Sequence, residues 1–359
     1  MTLEQYGWGD RVAQAFQPYA QQGYLAGRVT LAQRHQFRLH TEVGDIAATV
    51  SGKFIHDTTA AADFPVVGDW VVVQPSAEAA NGSGQGVIHQ VLPRYSQFAR
   101  KAAGTRTEAQ VLVANVDTAL LISGLDGDFN PRRIERYLVQ TWESGANPVI
   151  VLNKADQCDR VAEKIAELDA IALGVPILPI SAEYGTGLEH LNPYLQPGQT
   201  LVLLGSSGVG KSTLTNQLLG QTVQPTQSVR QDDSRGRHTT TGRQLFHLPS
   251  EALLIDTPGM RELQLWSSET SLDSTYADID ALAQQCRFRD CHHQQEPGCA
   301  IQAAIAADEL APDRLYSYQK LQKEQQYLAR KSNPQAQQNS KKRWKTITKS
   351  MRHSKKPDY

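Results

Sequence analysis

The sequence predicts a multi-domain chain: an N-terminal β-barrel, a central α/β domain on a parallel sheet, and a C-terminal α-helical domain that holds a metal. Three observations carry this. Five short strand-like runs separated by turn residues fill the first hundred positions. Four later apolar runs each end in a short polar or glycine-rich motif, and three cysteines and a histidine crowd into 14 positions near residue 290.

The barrel strands are residues 27–32, 36–41, 46–52, 68–73 and 87–92, rich in β-branched residues and bounded by Gly, Pro and Ser. Alternation alone fits an OB-like or an SH3-like barrel. Ahead of them, residues 10–24 place Val12, Phe16 and Tyr19 at helical spacing, on one side of an amphipathic helix. Residues 75–86, rich in Ser, Gly, Ala and Asn, read as a barrel loop. Small barrels of this kind commonly bind nucleic acid through exposed aromatics and cations.

The α/β part opens with strand-like residues 110–117 and 118–123, followed by a helix that starts at Asn130-Pro131, a capping residue before a helix-compatible proline. The apolar run 148–152 then delivers Asn153-Lys154-Ala155-Asp156 to a strand's carboxyl end, where ligand sites of α/β sheets lie. A carboxylate at Asp156 accepts two hydrogen bonds from the N1–H and exocyclic amine of guanine, a pair that adenine does not offer. Asn153 would brace the loop and touch the base edge, and the aliphatic stem of Lys154 would cover one ring face. After the run 175–180, Ser181 and Ala182 are placed to offer backbone N–H groups to the guanine O6.

Residues 199–204 enter Gly205-Ser206-Ser207-Gly208-Val209-Gly210-Lys211-Ser212-Thr213 and leave into a segment of helical spacing through residue 219. Strand, glycine loop and helix form the context in which backbone N–H groups from Ser207 to Ser212 turn toward a phosphate chain. Lys211 would reach the β- and γ-phosphates, and the Ser212 hydroxyl would ligate Mg²⁺. The run 253–255 ends in Asp256-Thr257-Pro258-Gly259, an acid facing Mg²⁺ and a glycine N–H free to sense a γ-phosphate. Between them, residues 232–241 are polar and glycine-containing, as a switch loop should be. One of Thr239, Thr240 and Thr241 completes the Mg²⁺ shell; Thr240 is taken for this role, although spacing does not separate the three. The base-reading motif precedes the phosphate loop, the reverse of the usual order, which marks a circularly permuted GTPase.

The cysteines divide unevenly. Cys158 is isolated, whereas Cys286-x₄-Cys291-x-His293-x₅-Cys299 offers three thiolates and an imidazole, suited to one tetrahedral structural Zn²⁺. His292 is an alternative to His293 on spacing alone. With four protein ligands no position stays open for catalysis, so the metal would hold a small domain together.

The net charge of −1 conceals an asymmetry: residues 320–356 carry 12 Lys/Arg against one acid, Glu324, leaving 24 basic against 36 acidic groups elsewhere. With Tyr327 and Trp344 interspersed, this arm suits an RNA backbone and its bases. Hydrophobic residues make up 40% of the chain, ordinary for a globular protein, and no apolar run approaches the ~18 residues that span a bilayer. The first ten residues lack the basic and apolar regions of a signal peptide, so a cytoplasmic protein with no membrane partner is expected, and a monomer.

Over nearly its whole length the chain resembles the ribosome small-subunit-dependent GTPase A family of circularly permuted GTPases. That resemblance implies an OB-fold for the barrel and His293 as the fourth metal ligand. It divides the chain into 1–100 (helix plus OB-like barrel), 105–268 (permuted GTPase) and 269–359 (zinc-bearing helical domain with basic tail). It further implies a late maturation factor of the small ribosomal subunit that binds rRNA, hydrolyses GTP to GDP and phosphate with Mg²⁺, and is stimulated by the subunit. Many GTPases place a water-orienting Gln after the Asp-x-x-Gly glycine, but here Met260 stands there, and a thioether cannot orient water. His238, just before the threonines, is the candidate catalytic residue, and the corresponding histidine is proposed for this role in the family. Two alternatives are a permuted GTPase serving another RNA or protein assembly and a GTP-sensing RNA-binding zinc protein with little turnover.

Overall fold

The computed structural model describes residues 1–33, 36–58, 60–76, 84–101, 109–221, 243–256, 275–294 and 296–332. His238, Thr240 and Gly259, with residues 333–359 of the basic arm, lie outside these. The described residues up to 256 form one compact unit, and those from 275 onward a second.

In the first unit, β1 (Leu25–Gln33), β2 (Gln36–Thr41), β3 (Gly44–Val50), β4 (Trp70–Pro75) and β5 (Gln85–Val91) close a barrel. The ring runs β1-β2-β3-β5-β4 and back to β1, antiparallel except for the parallel β3–β5 pair. That parallel closure after an intervening helix, α2 (Gly52–Asp57), selects the OB-like arrangement that alternation had left open. The barrel interior is apolar: Val29, Leu39, Ile46, Val71, Val73 and Ile88 are at most 2% exposed. The leading helix, α1 (Asp10–Ala20), ends earlier than residue 24, because Gln22 folds its side chain back onto Pro18 O and Gly23 turns to positive φ. Val12 is buried from it, and Phe16 and Tyr19 pack beside the same core.

The ribbon β6 (Gln97–Lys101) and β7 (Ala109–Ala114) leads into the second layer of strands. There β8 (Thr118–Gly124), β9 (Asn147–Asn153), β10 (Ile177–Pro179), β11 (Thr200–Leu204) and β13 (Leu253–Asp256) run parallel in the order β10-β9-β8-β11-β13. β12 (Arg243–His247) is antiparallel to β13. Side chains alternate between two cores: along β8, Ala119 and Leu121 face one, Leu120 and Ile122 the other. Helices α3 (Pro131–Ser144) and α4 (Val161–Asp169) cover the first face, and α5 (Lys211–Leu219) covers the second. Helix α3 begins as the sequence indicates, with Asn130 Oδ1 accepting the Arg133 N–H at 3.1 Å and Pro131 in the first turn.

β12 also pairs with β1, so barrel and parallel sheet are one continuous surface of eleven strands. A second tie is buried. Arg28, on β1 and fully shielded from solvent, donates from Nη2 to Asn115 O (2.9 Å) and Thr200 Oγ1 (3.1 Å), and lies 5.3 Å from the Trp70 ring. Burial pushes this guanidinium below its ordinary range. Gly68, at φ +91°, approaches Ala114 so closely that a Cβ would stand 2.1 Å from the Ala114 carbonyl oxygen.

In the second unit, α6 (Ala277–Ala283), α7 (Ala300–Ala306) and α8 (Pro312–Ser332) gather Tyr276, Ile279, Ile301, Leu310 and Leu315. Arg314, 4% exposed, grips both carboxylate oxygens of Asp278 at 2.6 and 2.7 Å and fixes α8 against α6. No helix among the described residues is long and apolar enough to cross a membrane.

Candidate nucleotide site and metal centre

Because the five strands are parallel, their carboxyl ends share one edge, and each carries a motif there: residues 125–130 after β8, 153–156 after β9, Ser181 and Ala182 after β10, the glycine loop after β11, and Asp256 at the end of β13. The centre of this arrangement is Asn153, 2% exposed. Its Nδ2 donates to Val209 O at 2.8 Å, and its Oδ1 accepts the Ala182 N–H at 2.9 Å. One amide therefore clamps the phosphate loop to the Ser181-Ala182 segment, and only one orientation of that amide satisfies both. The clamp is tight: at Gly210, φ +96°, a Cβ would sit 2.1 Å from Asn153 Nδ2, which leaves glycine as the residue that fits.

Lys154 adopts the left-handed conformation at φ 64°, which turns its side chain toward Asp126; Nζ and Oδ2 are 2.5 Å apart. Burial raises the Asp126 carboxyl, but the Lys154 ammonium and the Asp128 N–H outweigh it and hold it below the usual carboxylate range. Asp156, in the single 3₁₀ turn Ala155–Gln157, lines a cavity of about 120 Å³ with Asn153, Lys154, Ser181, Gly210 and Thr213. Among the described residues the Ser181 hydroxyl, buried there, has no hydrogen-bond partner. A far larger hollow of about 1040 Å³, lined among others by Tyr24, Lys53, His89 and Trp142, contains none of the motif residues. The chemistry decides between them, and the small cavity has it.

On the phosphate side, Gly205 enters at φ +156°, where an added Cβ would stand 2.4 Å from Ile122 O, Ser207 and Gly208 form the turn, and Lys211 opens α5. Lys211 Nζ donates to Gly205 O (2.8 Å) and Ser206 O (2.5 Å), so the ammonium already spans its own loop. Ser212 and Thr213 follow in the first turn of α5, where the dipole favours anions. Two residues that the motifs do not contain join this loop. Ser206 Oγ donates to Asp128 Oδ2 at 2.5 Å, and Arg133 Nη1 reaches Ser206 Oγ at 2.7 Å and the Asp128 oxygens at 2.7 and 2.8 Å. The only sequence signal for them was a pair of acids two apart in a short loop, indistinguishable from a turn.

In the second unit the ligand atoms of Cys286, Cys291, His293 and Cys299 lie within 4.8 Å of one another. Cys286 Sγ is 3.6 Å from His293 Nδ1 and 3.9 Å from Cys299 Sγ, and Cys299 Sγ is 3.6 Å from His293 Nδ1. A tetrahedron with metal–sulfur bonds of about 2.3 Å has edges of about 3.7 Å, so the donor set fits a metal ion. His293, at φ 57°, turns inward, and Gln302 Nε2 holds its carbonyl at 2.6 Å, whereas His292 is outside the cluster. Burial pushes the His293 imidazole down toward its neutral, ligating form. Burial also raises Cys286, but N–H groups of Ala300 and Ile301 at the start of α7 outweigh it and lower the thiol. Cys291 moves the other way, to about 11, through desolvation and its two thiol neighbours; a bound cation would remove that penalty.

A family model described as RsgA GTPase matches residues 91–266. An ABC transporter model matches residues 188–351, a span that includes the glycine loop but not the motif at 153–156. The small ribosomal subunit biogenesis GTPase RsgA of Opitutus terrae is 48% identical over 97% of this chain and 96% of its own length. Its counterpart of Streptomyces coelicolor is 42% identical over 96% of this chain and 92% of its own. Among solved structures, YjeQ from Thermotoga maritima is similar at TM-score 0.61 and 28% identity, covering 84% of this chain and 98% of that one. YloQ, described as a circularly permuted GTPase, shares the fold at TM-score 0.60 and 23% identity, covering 84% and 95%. With the barrel, the reordered strand-end motifs and the metal-ligand cluster all in place, the chain belongs to the RsgA GTPase family and is a GTP-hydrolysing enzyme of permuted order.

Proposed function

We propose that this GTPase acts in the cytoplasm, as a monomer, late in the maturation of the small ribosomal subunit, and that the subunit stimulates its hydrolysis of GTP. The observation that carries this reading is the extent of the relatives' match: proteins named small ribosomal subunit biogenesis GTPase span 96–97% of this chain, outer modules as well as nucleotide core. The domain division is 1–100, 105–268 and 269–359. Asp156 selects guanine, Asn153, Lys154, Ala155, Ser181 and Ala182 frame the base, and residues 205–213 cradle the phosphates. Mg²⁺ is held by Ser212, Asp256 and Thr240, with Gly259 sensing the γ-phosphate and His238 orienting water. The Ser181 hydroxyl, buried without a partner among the described residues, and the fixed Asn153 amide support the base-side assignment. Zinc occupies Cys286, Cys291, His293 and Cys299, where three sulfurs and one nitrogen match its preference. The barrel and the basic arm dock on rRNA, the arm through counterion release from phosphates.

Docking orders the switch loop and speeds hydrolysis, and loss of the γ-phosphate favours release. Sedimentation of the full chain with purified small or large subunits tests this, with a non-hydrolysable GTP analogue or GDP present. Co-sedimentation with the small subunit in the triphosphate state is expected. Equal pelleting with both subunits, or with neither, would sink the proposal.

A further inference from the structure

In this permuted chain the base-reading and phosphate-binding halves are separated in sequence, and one short segment touches both. Residues 125–130 follow β8, which lies between β9 and β11 in the sheet. Asp126 points to the base side, pairing with Lys154 at 2.5 Å. Two residues later Asp128 points to the phosphate side, taking the Ser206 hydroxyl at 2.5 Å, and Arg133, from the first turn of α3, bonds both partners. The Asp128 N–H donates back to Asp126 Oδ1 at 3.1 Å, and the Leu125 N–H to Asn153 O at 2.8 Å, so the two arms are rigidly connected.

We propose that residues 125–130 form a nucleotide clip, in which Asp126 positions Lys154 against the guanine face while Asp128 and Arg133 position Ser206 and the phosphate loop. This rests on the base-side and phosphate-side assignments given above. The two acids are positioning residues and act through others. Lys154 is a flexible stem with a mobile ammonium, and fixing its far end removes the rotamer freedom that binding would otherwise have to remove. Ser206 is the second residue of the glycine loop, so a shift there moves the N–H groups that face the phosphates.

The arms make different kinetic marks. Asp126→Asn keeps the shape and removes the charge that holds Lys154; base contacts are the same in ground and transition states, so KM should rise roughly tenfold with kcat intact. Asp128→Asn loosens the phosphate loop, whose fit to the transferring phosphoryl group sets the rate, so kcat should fall roughly tenfold. Arg133→Met should behave as Asp128→Asn, and Arg133→Lys, which keeps a cation beside Asp128, should restore most of the rate.

The experiment is steady-state GTP turnover of the full chain with saturating small subunits, alongside fluorescent-GDP affinity and thermal melting of each variant. If Asp128→Asn fails to fold, Ser206→Ala removes the same hydrogen bond from the other side and is expected to lower kcat. Two outcomes overturn the clip: KM and GDP affinity of Asp126→Asn within about twofold of wild type, or the same KM-to-kcat pattern for both acids. A wild type that fails to prefer GTP over ATP overturns the base-side assignment and the clip with it. Preserved selectivity beside a silent Asp126→Asn overturns the clip alone.

Discussion

Replacing Asn153 by alanine removes two hydrogen bonds at once and should be the most damaging polar substitution in the nucleotide core. Both partners stay behind in a dry place: Ala182 is 1% exposed and Val209 fully buried. A lost neutral hydrogen bond costs about 1 kcal/mol net, and a buried group left unpaired about 1–3 kcal/mol. Water entering the space left by the carboxamide would satisfy one partner more easily than two separated ones, which puts the loss of folding stability at roughly 2–4 kcal/mol. The same change frees the glycine loop from the Ser181-Ala182 segment, so fluorescent-GDP affinity should fall roughly thirtyfold or more. Urea unfolding followed by tryptophan fluorescence, together with a GDP titration, reads both effects. A stability change under about 0.5 kcal/mol with unchanged affinity would refute the idea that this amide holds the site together.

Four other substitutions probe separate parts of the chain. Cys299→Ser should release the metal and unfold the 275–332 region by circular dichroism, with chelation of the wild type doing the same, while Cys158→Ser, outside the cluster, should leave metal content unchanged. Gly68→Ala forces a Cβ to 2.1 Å from Ala114 O at φ +91°, and a loss of roughly 3 kcal/mol or more in denaturant unfolding is expected. Asp117, whose Oδ2 accepts the Thr200 N–H at 2.7 Å, has its carboxyl raised, first of all by desolvation. The folded state then binds the proton more tightly than the unfolded state, so this group's contribution falls as pH rises from the ordinary carboxylate pKa through the raised one. Asp117→Asn, which can still accept the Thr200 N–H, should flatten that part of the stability profile above the ordinary carboxylate pKa of about 4, and an unchanged profile would count against the buried charge.

The local parts of this fold were legible. The glycine loop, the Asn-Lys-x-Asp turn and the cysteine cluster each carry their chemistry within a few residues, and the start of α3 is written in Asn130-Pro131. What depended on distant partners was not. Arg28 sits in an alternating strand where a charge reads as solvent-facing, yet it is buried because Asn115 and Thr200, 87 and 172 residues away, supply its acceptors. The β1–β12 pairing joins strands separated by more than two hundred positions and has no local signature. Asp126 and Asp128 drew no reading from the sequence because the partners that give them meaning, Lys154 and Ser206, follow other strands. The barrel type followed the same rule, since the parallel β3–β5 closure that defines it is a property of topology and not of alternation.

The proposed function makes GTP hydrolysis by this chain responsive to the small ribosomal subunit. The decisive measurement is GTP turnover of wild type and His238→Ala, each with and without purified small subunits. Slow hydrolysis by the chain alone is expected, with at least roughly tenfold acceleration by the subunit and loss of that acceleration in the variant. A wild-type rate that does not respond to small subunits would contradict it.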